Sequence, residues 1–411
     1  MVAAEAAEAR AAFARLDEAR VPAALVRAAE LLRSRRDDVL DANAADVAAA
    51  EGALDAGALD RLRLDESRVE TIAAGLEATA SLAPIERVVR SWKLSGGLRA
   101  EERRVPIGVV GANFEARPNV AADVASQVLK SGNVVVLRTG GAALGTVTAL
   151  VDGVLRPALD EHGIPGAAVG LVRSSDRAGA EALVSCPELI RLVILRGSGP
   201  STAALARRAA LNGVRALAHA EGGGVLYVHE SADREKLIAL ARESLDRLGV
   251  CNRLNLALVD VAAAPLARAL LDVFAAAGLE VRAGERASTL PGVLPLDEPV
   301  GHEWASDTAR VETVTLELVD GLDEAVRIAN DETSGLAAAI CAEDADAAAR
   351  FLDGYRGTAA YWNATTRWTD GFKLTGAPET GINVDWTPGP RGPVTYDDLY
   401  LRQYRVVPAG A

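Results

Sequence analysis

Pro106-Ile-Gly-Val-Val-Gly-Ala-Asn-Phe-Glu-Ala-Arg-Pro-Asn-Val120 is the stretch whose reading decides the fold. Its β-branched opening reads as a strand, Gly111 as part of a turn, and the segment around Pro118 as the first turn of a helix, where proline's fixed φ is well placed. A strand that feeds a helix is the first half of a βαβ crossover, and the text repeats it. Short β-branched runs at 105–110, 134–137, 168–172, 192–195 and 214–217 alternate with helical stretches, which predicts a parallel sheet covered by helices. A second series opens at 225–228 and continues through 254–259, 311–318, 337–341 and 359–361, with helices expected at 323–330 and 344–355.

Upstream, Leu, Val and Ala recur at three- and four-residue steps between charged positions from residue 3 to about 80, the pattern of amphipathic helices. Pro84 and the Gly96-Gly97 pair interrupt them, so the following residues read as a connecting hairpin or loop. The last thirty residues are rich in Pro, Gly and Tyr and end in an extended run at 400–407, suited to pairing with another sheet edge or another subunit. The expected organisation is a helical region with a hairpin (1–104), a cofactor-binding α/β domain (105–224), a second α/β domain (225–384) and a C-terminal segment (385–411).

At 411 residues the chain is too long for one compact core. Half of its residues are hydrophobic and a quarter charged, the balance of a globular protein. A net charge of −13 opposes general affinity for nucleic acid or anionic lipid, because phosphate would be repelled. The uninterrupted apolar runs fall far short of the roughly 20 residues that span a bilayer, and no apolar leader opens the chain. A cytoplasmic protein without membrane or nucleic-acid partners is therefore expected. Cys186, Cys251 and Cys341 are an odd number at wide spacing, which suits reduced thiols rather than a disulfide framework. With four histidines and neither a Cys-x-x-Cys nor a His-Glu-x-x-His motif, no protein-bound metal is expected.

Four stretches carry groups suited to chemistry. In the opening stretch, Asn113 can donate to a developing oxyanion and Arg117 can hold a phosphate or carboxylate; the same residues read equally as a polar strand-to-helix turn. In Lys130-Ser-Gly-Asn-Val-Val-Val-Leu-Arg138-Thr-Gly-Gly141 a cation ends a strand where dinucleotides bind in such folds, although the glycines do not spell Gly-x-Gly-x-x-Gly. Leu195-Arg-Gly-Ser-Gly-Pro-Ser-Thr202 reads as a capped helix start, with or without a ligand on its free N–H groups. In Gly249-Val-Cys-Asn-Arg-Leu-Asn255, Cys251 lies in a polar turn between a helix and a strand, where a thiol can act as a nucleophile with Asn252 as an oxyanion donor. Cys186 and Cys341 read as small buried hydrophobes.

The segments VPIGVVGANFEARPNV, LKSGNVVVLRTGG, GVCNRLN and YWNATTRWTDGF, in this order and spacing, resemble the γ-glutamyl phosphate reductase (glutamate-5-semialdehyde dehydrogenase) family of the aldehyde dehydrogenase superfamily. The resemblance implies an aldehyde dehydrogenase-like α/β fold: a Rossmann-like cofactor domain, a catalytic domain and a small oligomerisation element. It implies that Cys251 forms a thioester from an acyl phosphate, that NADPH reduces it, with NADH as the alternative, and that Asn113 and Asn252 assist as oxyanion donors. It implies further that Arg138, Gly140, Gly197, Ser198 and Gly222 border the cofactor, and that Glu115, Arg117, Asn363 and Arg367 surround the substrate. The implied partners are a small acyl phosphate or aldehyde, an acyl kinase that supplies it, and further copies of the chain.

Two features set this chain apart from the family pattern. Where a hydrolytic aldehyde dehydrogenase carries a glutamate two residues before Gly-Gly, alignment puts Ala220, with Glu221 beside it; losing that base favours acyl-phosphate chemistry over hydrolysis. The family's usual SGHTEAI reads Ser334-Gly-Leu-Ala-Ala-Ala-Ile340, so the polar groups expected near the substrate's charged end are replaced by apolar ones. Glutamate-5-semialdehyde is then expected not to be the best substrate. The competing expectations are oxidation of a free aldehyde with Glu221 as base, and a catalytically diminished partner of an acyl kinase.

Overall fold

The computed structural model describes all residues except Asp55, Ser198, Ala220, Glu221, Thr308, Trp386, Thr387, Pro388, Gly410 and Ala411. The chain divides into two compact units: Met1–His219 with Gly376–Gly381 and Val394–Ala411, and Ala220–Thr375 with Ile382–Pro393.

The first unit opens with five helices, α1 (Val2–Phe13), α2 (Val21–Ser34), α3 (Arg36–Ala50), α4 (Ala56–Leu62) and α5 (Glu66–Ser81). An antiparallel hairpin follows, β1 (Val88–Leu94) and β2 (Leu98–Pro106), turned by Gly96 and Gly97 at φ 71° and 70°, values open to glycine at little cost. The C-terminal strand, Tyr400–Pro408, pairs antiparallel with β2 of the same chain to complete a three-stranded sheet. That sheet exposes Val89, Trp92, Leu94, Tyr404 and Val406.

The unit's main sheet is parallel, made of β3 (Val109–Phe114), β4 (Val134–Thr139), β5 (Val169–Leu171), β6 (Ile190–Arg196) and β7 (Arg215–His219) in the order β5-β4-β3-β6-β7. Helix α6 (Asn119–Lys130) follows β3. The core is continuous from α1 (Ala6, Ala9) and α2 (Leu25, Leu32) through β3 and β4 (Val110, Val135) to Leu217 of β7, so the N-terminal helices bury their apolar stripes against this sheet.

The opening stretch departs from its sequence reading at two points. The run 105–110 is divided: β2 ends at Pro106, Gly108 takes φ 109°, and β3 starts at Val109. Asn133 Oδ1 holds this corner, accepting from the N–H groups of Ile107 (2.6 Å) and Gly108 (2.9 Å). Gly111 lies within β3, between Val136 and Val193, instead of in a turn. A Cβ there would stand 3.1 Å from Leu183 Cγ and 3.2 Å from Ile190 Cγ2, so close packing explains the glycine.

One helical run among the described residues, Gly141–Glu161, is long and apolar enough by length and composition to cross a membrane, although no uninterrupted apolar stretch marks it in the sequence. Val147, Leu150, Val151, Val154, Leu155, Ala158 and Leu159 of that run lie in the unit's core.

The second unit holds a seven-stranded parallel sheet. Its strands are β8 (Gly224–Val228), β9 (Leu254–Asp260), β10 (Glu280–Ala283), β11 (Leu294–Pro295), β12 (Thr313–Val319), β13 (Ala337–Cys341) and β14 (Ala360–Trp362), ordered β11-β10-β12-β9-β8-β13-β14. Strand β8 alternates Leu226 and Val228 into one core with Val225 and Tyr227 into another, so both sheet faces are covered. Helices Leu322–Asp331 and Ala345–Gly354 fall within a residue or two of their expected bounds. The remaining strands, β15 (Gly381–Asn383) and β16 (Gly392–Val394), form a two-stranded pair, and Tyr400–Pro408 is β17.

Candidate active site

In the first unit the expected groups gather at the carboxyl ends of β3, β4, β6 and β7. Asn113, 5% exposed, accepts from Arg138 Nη1 through Oδ1 at 3.2 Å. Arg138 Nη2 donates to the carbonyls of Ser175 and Asp176, both at 3.0 Å, while Nε is buried without a hydrogen-bond partner among the described residues. Desolvation holds this guanidinium below the ordinary arginine pKa, with Glu115 opposing the shift. Its donors thus hold the 175–176 loop and orient Asn113, a different task from the cofactor contact expected of it.

Gly140 accepts an added Cβ without any contact within 4 Å. At Gly197 a Cβ would come 2.9–3.2 Å from the Glu115 carboxylate, so glycine there lets Glu115 lie over the loop that starts helix Gly199–Leu211. Ser198 lies outside the described residues. Between Glu115 and Arg117, Ala116 takes φ 34°, a left-handed conformation costly for a residue with a Cβ.

Three titratable residues joined to this group are not singled out by the sequence reading. Burial, then the cations Arg196 and Arg117, pushes the His219 imidazole down to about 3, so it is neutral at physiological pH. Burial raises Asp123 to about 6, against the pull of Arg196 and a 2.9 Å hydrogen bond from Asn119 Nδ2. Arg196 sits in the quoted stretch Leu195–Thr202, where attention to the glycines hid the cation ahead of them.

In the second unit, Cys251 lies in the turn before β9, partly buried against Leu336, Ala337 and Ile382 with Tyr361 and Val384. Its carbonyl accepts from Gly223 N at 2.6 Å. Gly222 is wedged beside it: a Cβ at that position would meet Cys251 Cβ and Glu303 Oε1, each at 2.5 Å, and Cys251 O at 2.7 Å. Ser334 Oγ donates to Gly222 O at 2.8 Å. Ala220 and Glu221, where a hydrolytic base was weighed, lie outside the described residues.

The amide of Asn252, expected to face an oxyanion, is turned to another task. Its Nδ2 donates to Thr369 O at 2.9 Å and its Oδ1 accepts from Arg367 Nη1. Arg367 is further paired with Asp246 at 2.6 Å. Asn363, at φ 48°, clasps Ala342 by accepting from its N–H (3.1 Å) and donating to its carbonyl (2.9 Å). Asn252, Asn363 and Arg367 therefore tie the 363–369 loop to the cysteine turn and to β13's end. Of the other thiols, Cys341 is fully buried, its pKa pushed up to about 12 by desolvation, whereas Cys186 is only partly buried, at odds with its reading as a core residue.

The sequence also left Arg253 and Glu303 unread. Arg253 is 0% exposed and donates to the carbonyls of Leu254, Val311 and Thr313; burial lowers its pKa to about 10, opposed by Glu303. Among the described residues no group of three or more His, Cys, Asp or Glu is arranged to hold a metal.

A partly buried cysteine in the turn before a strand of one parallel sheet, with a second parallel sheet of Rossmann order in the same chain, is the design of the aldehyde dehydrogenase family, whose model matches residues 1–258 and 313–389; the chain belongs to that family. Within it the chain groups with the γ-glutamyl phosphate reductases. It is 35% identical to the γ-glutamyl phosphate reductase of Gluconobacter oxydans, with 94% of this chain and 90% of that one covered. It is 37% identical to that of Erythrobacter litoralis, with the same coverage. The crystal structure of the γ-glutamyl phosphate reductase from Thermotoga maritima superposes with a TM-score of 0.91 at 30% identity, covering 99% of this chain and 98% of that one.

Proposed function

We propose that the protein reduces γ-glutamyl phosphate, or a close acyl-phosphate analogue, to the corresponding semialdehyde through a thioester on Cys251, in a reaction reversible with phosphate. The relatives' activity supports the reaction class. The observation that carries the mechanism is the seating of Cys251 in a turn pinned by Gly223 N at 2.6 Å and kept open by Gly222.

Sulfur attacks the acyl carbon, the bond from that carbon to the phosphoryl oxygen breaks, and phosphate departs. A nicotinamide dinucleotide, when bound, would supply the hydride that reduces the thioester carbon, and loss of the C–S bond from Cys251 would then release the aldehyde. The apolar wall of Leu336, Ala337 and Ile382 limits water beside the thioester, which protects it from hydrolysis.

The first unit fits such a dinucleotide. Its strand order reverses between β3 and β6, and ligands of doubly wound sheets bind at the carboxyl ends beside that reversal. Gly197 and the N-terminus of helix Gly199–Leu211 lie there, suited to the pyrophosphate, and Gly140 leaves room for close approach. NADPH is the proposed form, NADH the alternative. Glu115 and Arg117 are proposed to face the substrate. The exposed apolar face of the β1-β2-β17 sheet suits contact with another copy of the chain, and three cysteines outside any disulfide suit the cytoplasm.

A second reading concerns the substrate. Leu336 and Ala337 are buried in the same cluster as Cys251, and neither can pair with an α-amino or α-carboxylate group. Loss of those partners favours a less polar or amine-modified aldehyde of similar length. Ala338 packs into a different core and takes no part.

One assay tests both readings: the reverse, phosphate-dependent oxidation of a panel of aldehydes with NADP⁺. Activity is expected to require phosphate and to be lost in Cys251→Ser, with less than about a tenth of wild-type rate remaining. A kcat/KM at least tenfold higher for glutamate-5-semialdehyde than for every analogue would remove the second reading and leave the first.

A further inference from the structure

Gly222 marks a shared space. A Cβ built on it would lie 2.5 Å from Cys251 Cβ and 2.5 Å from Glu303 Oε1, so those two atoms are themselves at most about 5 Å apart. Glu303 is held there from both sides. Asn255, the last residue of the cysteine stretch, donates to His302 O at 2.6 Å and accepts from Trp304 N at 2.9 Å, bracketing Glu303 by its neighbours' backbones. Trp304 anchors the turn: it is 0% exposed and its Nε1 donates to Thr315 Oγ1 at 2.8 Å.

The charged groups that face this carboxylate come from three directions. On the cysteine's turn, the buried Arg253 guanidinium attracts it. On its own segment, His302 directs its ring nitrogens to Asp307 at 3.1 Å and Glu298 at 3.9 Å, and Arg310 pairs with the same two acids. From beyond β12, the backbone of Glu332 packs against Gly301 while its carboxylate pairs with Arg327 at 2.6 Å. Glu221, next to Gly222 in sequence, lies outside the described residues. His302 and Arg310 are thus engaged with other acids, while Glu303 is aimed at the cysteine's surroundings.

Resting on the thioester reading, we propose that Glu303 handles the proton at Cys251. Its carboxylate takes the thiol proton as sulfur bonds to the acyl carbon, and gives that proton to the phosphate whose bond to the same carbon breaks. After hydride transfer and C–S cleavage the thiolate remains, and solvent returns one proton to the pair. One acyl phosphate, one hydride and one proton thereby give one aldehyde and one hydrogen phosphate. The buried Arg253 guanidinium attracts this carboxylate, and general acid–base assistance of this kind contributes on the order of 100-fold or more.

The test compares Glu303→Gln, Glu303→Asp and wild type in two measurements: phosphate-dependent turnover, and the pH profile of Cys251 alkylation by iodoacetamide. Glu303→Gln is expected to lose about 100-fold in turnover. Its alkylation profile is expected to move to lower pH, because removing a neighbouring negative charge favours the thiolate. Glu303→Asp should recover at least about tenfold over the Gln variant. A Gln variant within about threefold of wild type overturns the proposal, as does slow turnover with an unmoved or upward-shifted alkylation profile, the signature of a merely structural role. If Cys251→Ser itself retains turnover, the thioester reading falls; a dead Cys251→Ser beside a normal Glu303→Gln removes only the role of Glu303.

Discussion

The two parallel sheets end in opposite chemical surroundings. Around the carboxyl ends of β3, β6 and β7 in the first unit, Arg196 and Arg117 add to the burial that lowers the His219 pKa, and Arg196 opposes the burial that raises that of Asp123. At Cys251 in the second unit, an apolar wall stands on one side and the bracketed Glu303 carboxylate on the other. The difference follows from what each end must tolerate. A dinucleotide and a phosphate call for fixed charges and open N–H groups, whereas a thioester survives only where few groups can bring it water.

The comparison breaks most sharply at Gly222. Gly222→Ala puts a methyl group 2.5 Å from both Cys251 Cβ and Glu303 Oε1, separations that no real Cβ contact sustains, so the cysteine turn must shift. The expected result is a loss of turnover of about 100-fold or more, with dinucleotide affinity kept within about threefold. Fluorescence titration with NADPH beside a turnover assay measures both; parallel losses would mean that the glycine serves the cofactor, as its position in the sequence suggests.

A smaller effect is expected in the first unit, at Arg138. Its Nη1 and Nη2 donate to Ser175 O, Asp176 O and Asn113 Oδ1, so Arg138→Ala should loosen the whole loop and raise KM for NADPH and NADH by a similar factor. A rise confined to NADPH would instead mean that the guanidinium reaches the 2′-phosphate, the role the sequence resemblance implies.

The smallest effect is one of stability. Asp123 has its pKa raised to about 6, mainly by burial, from an ordinary value near 3.8. The folded state therefore binds the proton more tightly than the unfolded chain, and ionisation above pH 6 costs stability that protonation restores as pH falls toward 4. Asp123→Asn should stabilise the protein at pH 7.5 by roughly 2 kcal/mol and have little effect near pH 4. Thermal melts at the two pH values give the comparison; equal effects at both would mean that Arg196 compensates the buried charge in full.

Much of this was legible in the sequence, for a physical reason in each case. β-branched runs bounded by glycines and prolines located most strands of both parallel sheets because strands covered on both faces read as continuous apolar text. Cys251 could be singled out because a thiol in a polar turn is unusual. Gly111 was misplaced because a glycine that makes room for Leu183 and Ile190 looks the same in sequence as one that makes a turn. Asn252 was read as an oxyanion donor, and Asn363 and Arg367 as substrate contacts; their partners, Thr369, Ala342 and Asp246, are set by tertiary folding and leave no local trace. Glu303 escaped notice because residues 296–310 have no periodicity and the carboxylate is brought beside Gly222 by a turn that Asn255 and Trp304 hold.

The central claim, that Cys251 carries the acyl group, is tested most directly by intact-mass and peptide mass spectrometry of the enzyme mixed with glutamate-5-semialdehyde and NADP⁺ in phosphate-free buffer. The account predicts one acyl adduct, confined to the peptide that contains Cys251, formed together with one equivalent of NADPH and discharged when phosphate is added. NADPH formation without an adduct, or an adduct on Cys186 or Cys341, would contradict it.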